Sequence, residues 1–95
     1  METEEMIQEI KRILQKHFSE ETEIWLFGSQ ASGTSLPTSD IDIGLLGKEK
    51  IDPLFMIKIK EELEEIPSLR SIDLVDLHLI NETFKQQVLK NGKRL

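Results

Sequence analysis

The sequence predicts an α/β (α+β) domain: a small mixed sheet with helices packed on one face. Three observations lead there. Apolar residues switch between helical and strand spacing several times along the chain. The 95 residues suit one domain, residues 1–95, around one core, with no internal repeat or linker. Hydrophobic residues make up 38% and charged residues 32%, an ordinary globular mixture.

From Thr3 to Phe18, Met6, Ile10, Ile13, Leu14 and His17 recur at helical spacing among Glu, Lys and Arg, with Thr3 as a plausible N-cap. Ile24-Trp25-Leu26-Phe27 is a short apolar run ending at Gly28-Ser29, which suits a buried strand with Trp25 in the core. Residues 30–39 are rich in Ser, Thr, Gly and Pro and read as a loop. Asp40 to Leu46 alternates: Asp40, Asp42 and Gly44 share one face, and Ile41, Ile43 and Leu45 the other. Asp52-Pro53 then supplies an N-cap followed by proline at the first helical position. Leu54, Phe55, Ile57, Ile59, Leu63 and Ile66 carry that helix to Pro67. Ile72 to Leu79 reads as a third strand, and Asn81 caps a last helix that stops near Asn91-Gly92.

Composition excludes several functions. Without cysteine there is no disulfide and no cysteine-based zinc site. No apolar stretch approaches a membrane span, and the acidic start lacks the pattern of a signal peptide, so the expected location is cytoplasmic. A net charge of −6, with the 12 basic residues dispersed among 18 acidic ones, argues against binding long nucleic acid. A nucleotide remains compatible, because a metal can neutralise it locally.

The chemistry concentrates in residues 28–42. On alternate strand positions the α-carbons of Asp40 and Asp42 lie ~6.6 Å apart on one face. Two acids so close repel each other, and a cation relieves them. Magnesium takes hard oxygen ligands, often one or two carboxylates with phosphates and water. Gly28, lacking a β-carbon, lets a phosphate approach the backbone, and the Ser29 hydroxyl adds a donor. An isolated Asp-x-Asp is commonly a solvent-facing pair, and an isolated Gly-Ser is usually just a turn. Their conjunction after an apolar strand is far more specific.

Gly28-Ser29, ten residues and then Asp40-Ile41-Asp42 resembles the signature of the DNA polymerase beta-like nucleotidyltransferase superfamily. The flanking Trp25-Leu26-Phe27 and Ile43-Gly44-Leu45 fit the same pattern. The short length resembles the minimal nucleotidyltransferase (MNT) branch, whose members are often paired as antitoxins with helical HEPN-domain proteins. The resemblance implies the nucleotidyltransferase fold and a site of three acids holding Mg2+ or Mn2+, with Asp40 and Asp42 as the first two. Gly28 and Ser29 would bind the nucleotide. The third acid belongs on a later strand, here Ile72-Asp73-Leu74-Val75-Asp76. Asp73 and Asp76 point to opposite faces. The family pattern favours Asp73, leaving Asp76 as a surface or strand-end acid.

The implied activity is transfer of a nucleoside monophosphate, AMP from ATP, to a hydroxyl on a HEPN-type partner. The alternative is an antitoxin that masks its partner by contact alone. Gln30 and Ser32 stand where many MNT members carry arginines, which would weaken the hold on the phosphates. Lys48 and Lys50 lie beyond the strand and read as solvent-exposed. So small a chain calls for a partner or a homo-oligomer to complete the assembly. His17 reads as packed or half-buried, His78 as a strand-end residue without a second ligand, and the acidic run of residues 61–65 as a solvated helix face.

Overall fold

Amphipathic spacing, two side-chain caps and a strand alternation build the architecture seen in the computed structural model, which describes residues 3–28, 40–68 and 70–95. Helix α1 (Thr3–His17) buries Met6, Ile10, Ile13 and Leu14, with acids in its first turn and Lys16 and His17 in its last, as the helix dipole favours. Helix α2 (Pro53–Glu64) begins where Asp52 accepts the Leu54 N–H at 2.8 Å, with Pro53 following the cap. Helix α3 (Glu82–Asn91) begins where Asn81 accepts the Phe84 N–H at 2.8 Å.

Strands β1 (Glu23–Phe27), β2 (Ile41–Leu46), β3 (Ile72–Asp76) and β4 (Lys93–Arg94) form one sheet in the order β3-β2-β1-β4. β1 runs antiparallel to both β2 and β4, whereas β2 and β3 are parallel. Parallel neighbours need a crossover, and α2 supplies it. β4 has no counterpart in the sequence reading. A two-residue basic segment after a helix carries no strand pattern, and only its pairing with Trp25 and Leu26 reveals it. Leu95 extends that pairing, its N–H donating to the Ile24 carbonyl at 2.9 Å.

The expected mixed sheet forms, with α1 and α2 layered on one face. Ile24, Leu26, Ile41, Ile43, Leu45 and Leu74 bury against Met6, Ile10 and Leu14 of α1 and Met56, Ile59 and Leu63 of α2. The two helices are also tied at their rims. The Glu62 carboxylate accepts from Lys16 at 2.9 Å and meets His17 Nε2 at 2.8 Å. These bonds, Lys16 first, hold Glu62 below the usual carboxylate range. Glu62 is thus a clasp between helices rather than one more solvated acid of the run. His17 is half-buried as expected, its ring edge against Phe55.

α3 meets the opposite face of β1. Trp25 and Phe27 alternate away from the main core, so they are half-buried rather than central. The Phe84 ring meets Phe27 there at 5.7 Å. On the same face Gly44 leaves room for Leu77, whose Cδ2 would lie 2.8 Å from any added β-carbon. β3 ends three residues earlier than its apolar pattern suggests. The buried Asp76 carboxylate accepts the Ile51 N–H at 2.7 Å and the His78 N–H at 3.0 Å, and the chain turns.

Candidate active site

The pairing register places the acids. Asp42 stands opposite Asp73 on the parallel neighbour and opposite Phe27 on the antiparallel one. Asp42 and Asp73 therefore share the sheet face away from the main core. Asp40 is exposed just before β2, beside the Ile41 N–H that donates to the Ser71 carbonyl at 2.9 Å. Burial pushes the Asp42 carboxyl above its ordinary value, followed by the negative charges of Asp73 and Asp40 and a side-chain hydrogen bond with Asp73.

Gly28 closes the same corner. Its φ of 75° lies in the left-handed region, and a β-carbon there would run into the Asp42 carboxylate, with Cγ at 3.3 Å. A phosphate oxygen reaching Asp42 would pass over bare backbone. Ser29, Gln30 and Ser32 lie outside the described residues. Asp76 is on the other face, buried and committed to two backbone N–H groups, so Asp73 is the acid beside Asp42. Of the two places expected for Asp76, surface or strand end, it takes the strand end, buried and not at the surface.

A cleft of about 460 Å³ runs along the free edge of β3, lined by Asp42, Asp73, Phe27 and Phe84 with Lys60 at its far side. A larger hollow of about 600 Å³ lies beside Phe18, Ile24 and Leu95, at the start of β1, and no aspartate lines it. Asp42 and Asp73 thus open onto the smaller cleft. Lys60 and Phe84 were not legible as cleft residues. Lys60 looks like any solvated helix lysine, and Phe84 like a core position of α3. Lys48 pairs with Glu21 at 3.2 Å on the surface, and His78 Nε2 bonds the Gly47 carbonyl at 2.6 Å, so neither belongs to the cleft.

Among the described residues, no three Asp, Glu or His side chains gather closely enough to hold one ion together. Asp42 and Asp73 do, however, suit a divalent cation. Their charges disfavour one another at this separation, and a cation between them relieves that repulsion. Magnesium needs no more than such a pair when phosphates and water complete its shell.

The chain as a whole resembles known proteins. The family described as Polymerase beta, Nucleotidyltransferase matches residues 8–95. The Probable protein adenylyltransferase MntA of Haemophilus influenzae is 31% identical over 81 residues, covering 85% of this chain and 70% of the relative. The Protein adenylyltransferase MntA of Shewanella oneidensis is 36% identical over 72 residues, covering 76% of this chain and 51% of the relative, so the chain spans about half of that protein. A toxin–antitoxin crystal structure with AMP-PNP superposes with a TM-score of 0.77 at 31% identity, over 92% of this chain and 69% of that one. A tri-AMPylated Shewanella oneidensis HEPN toxin in complex with its MNT antitoxin gives 0.73 at 26%, over 96% and 69%. With its fold, its Gly28 corner and its Asp42–Asp73 pair, the chain belongs to the polymerase beta nucleotidyltransferase family.

Proposed function

We propose that this chain transfers AMP from ATP to a hydroxyl on a HEPN-type partner in the cytoplasm, and so acts as the MNT antitoxin of a pair. The observation that carries the reading is the carboxylate pair of Asp42 and Asp73 beside the bare Gly28 backbone. Gly28 and Ser29 receive the triphosphate. Asp42 and Asp73 would hold magnesium or manganese, and Asp40 at the strand mouth adds negative charge beside them. When bound, such an ion neutralises phosphate charge and stabilises the attacking and leaving oxygens. Asp73 takes the proton from the acceptor hydroxyl while its oxygen bonds to the α-phosphorus. The bond from that phosphorus to the β-phosphate oxygen breaks, and pyrophosphate leaves.

Gln30 and Ser32, in place of arginines, favour the second reading, an antitoxin that silences its partner by contact. One experiment separates the two. The protein is incubated with labelled ATP, magnesium and a co-expressed HEPN-type partner, and both masses are measured. The proposal expects the partner to gain mass in AMP-sized steps. Asp42→Asn with Asp73→Asn should lower that gain at least about 100-fold, the scale of losing a positioned acid–base group. The partner should then be active although the complex persists. A partner fully inhibited without gaining nucleotide mass would sink the catalytic reading and leave masking in its place.

A further inference from the structure

Neither phosphate binding nor proton transfer uses Phe84. The residue is 39% exposed, and one exposed phenylalanine is ordinary on a protein surface. Its placement is not. Phe84 lines the cleft that holds Asp42 and Asp73. Its ring meets that of Phe27 with centroids 5.7 Å apart and planes at 84°. Rings in this edge-to-face arrangement each keep at least one face that the other does not cover. Phe27 in turn is the register partner of Asp42 and immediately precedes Gly28. The aromatic pair is therefore continuous with the corner that faces the carboxylates.

The ring is exposed, yet its backbone is anchored. The Phe84 N–H donates to the Asn81 side chain at 2.8 Å. Val88, one turn further along α3, is buried. A rigidly mounted aromatic ring can stack on a planar group at little cost in conformational entropy.

Resting on the nucleotidyl transfer proposed above, we infer that Phe84, backed by Phe27, is the stacking platform for the nucleobase of the donor nucleoside triphosphate. The base is the favoured occupant because it is tethered to the phosphates that Gly28 and Asp42 receive. An aromatic ring of the acceptor protein has no such tether to this corner. Stacking uses the face of the base and not its hydrogen-bonding edge, so ATP and GTP analogues should bind with similar strength.

The test is calorimetry on the full chain with magnesium, using AMP-PNP and, as a probe without a base, inorganic tripolyphosphate. Phe84→Ala should weaken AMP-PNP roughly 5- to 140-fold, the range for losing one base–aromatic stack. Tripolyphosphate affinity should not change. Phe84→Trp should restore AMP-PNP binding. Phe84→Leu, which keeps apolar bulk without a π face, should not. Thermal melts establish that each variant is folded. If the alanine variant does not fold, the comparison of Leu with Trp carries the same test. Unchanged AMP-PNP affinity in Phe84→Ala, or full binding by Phe84→Leu, would overturn the inference. A Phe84→Ala defect confined to the KM for the acceptor protein would also overturn it and assign the ring to the acceptor. Wild-type protein that binds no AMP-PNP with magnesium would remove the nucleotidyl-transfer reading itself, and this inference with it.

Discussion

At the scale of single residues, Asp42 and Asp76 show how one side chain type serves opposite ends. Asp42 sits where its charge is disfavoured by burial and by Asp73 and Asp40. Its folded pKa is raised, so the native state holds this proton more tightly than the unfolded chain does. The associated stability is present below the ordinary value of 3.8 and is lost as the pH rises through the raised value. Without divalent cation, Asp42→Asn should therefore melt above wild type at neutral pH, and the gap should close as the pH is lowered toward 3.8. A gap that widens on acidification would contradict the assignment. Removing the Asp76 side chain should instead destabilise the fold through its hydrogen bonds. Asp76→Ala strands the N–H groups of Ile51 and His78, at roughly 1–3 kcal/mol for a buried donor left unsatisfied. Asp73→Asn, at an exposed position, removes one of the charges that disfavour the Asp42 carboxylate, so it should raise the urea midpoint at neutral pH while lowering transfer.

At the scale of elements, β2 is constrained on both faces. Ile41, Ile43 and Leu45 are each fully buried in the main core. On the other face Asp42 must reach the cleft while Gly44 admits Leu77. Gly44→Ala would place a β-carbon 2.8 Å from Leu77 Cδ2 and 3.1 Å from Cγ, and Leu77 is itself fully buried. Overpacking of this kind costs about 1–3 kcal/mol, measurable as a lower denaturant midpoint at unchanged slope. Because Gly44 is one strand residue pair along from Asp42, the same substitution should also lower transfer by shifting the acid pair. The helices answer to more local rules. Asp52 and Asn81 accept their N-cap bonds without help from distant residues.

At the scale of the whole molecule, the strand order β3-β2-β1-β4 concentrates negative charge at one sheet corner. Asp73 lies 31 residues beyond Asp42 in sequence, so the repulsion between them arises only in the native state. A cation bound there stabilises the folded form by mass action, about 2.7 kcal/mol at a hundredfold excess over its Kd. Magnesium or manganese should accordingly raise the melting temperature of the wild type, and Asp42→Asn should blunt the rise. A melting temperature indifferent to magnesium over a wide range would count against the pair as a metal site. Among the described residues no helix is long and apolar enough to cross a membrane.

Local patterns in the sequence determined the three helices, the capping residues Asp52 and Asn81, and the alternation that sets Asp42 against Ile41 and Ile43. These depend on neighbours within a turn or a pleat, so spacing alone carries them. The family resemblance rested on one short segment, Gly28 to Asp42, whose residue types are dictated by phosphate and metal chemistry. Tertiary structure decided what depends on pairing across distance. The β2–β3 register set Asp73 opposite Asp42, the acid that the family pattern favoured and that parity alone could only divide from Asp76. The Ile51 N–H drew Asp76 inward and ended β3 early. β1 recruited Lys93 and Arg94 as a fourth strand, and packing of α3 on Phe27 made Phe84 a wall of the cleft. No local period encodes such contacts, because the partner groups lie many residues away and meet only once the sheet has formed.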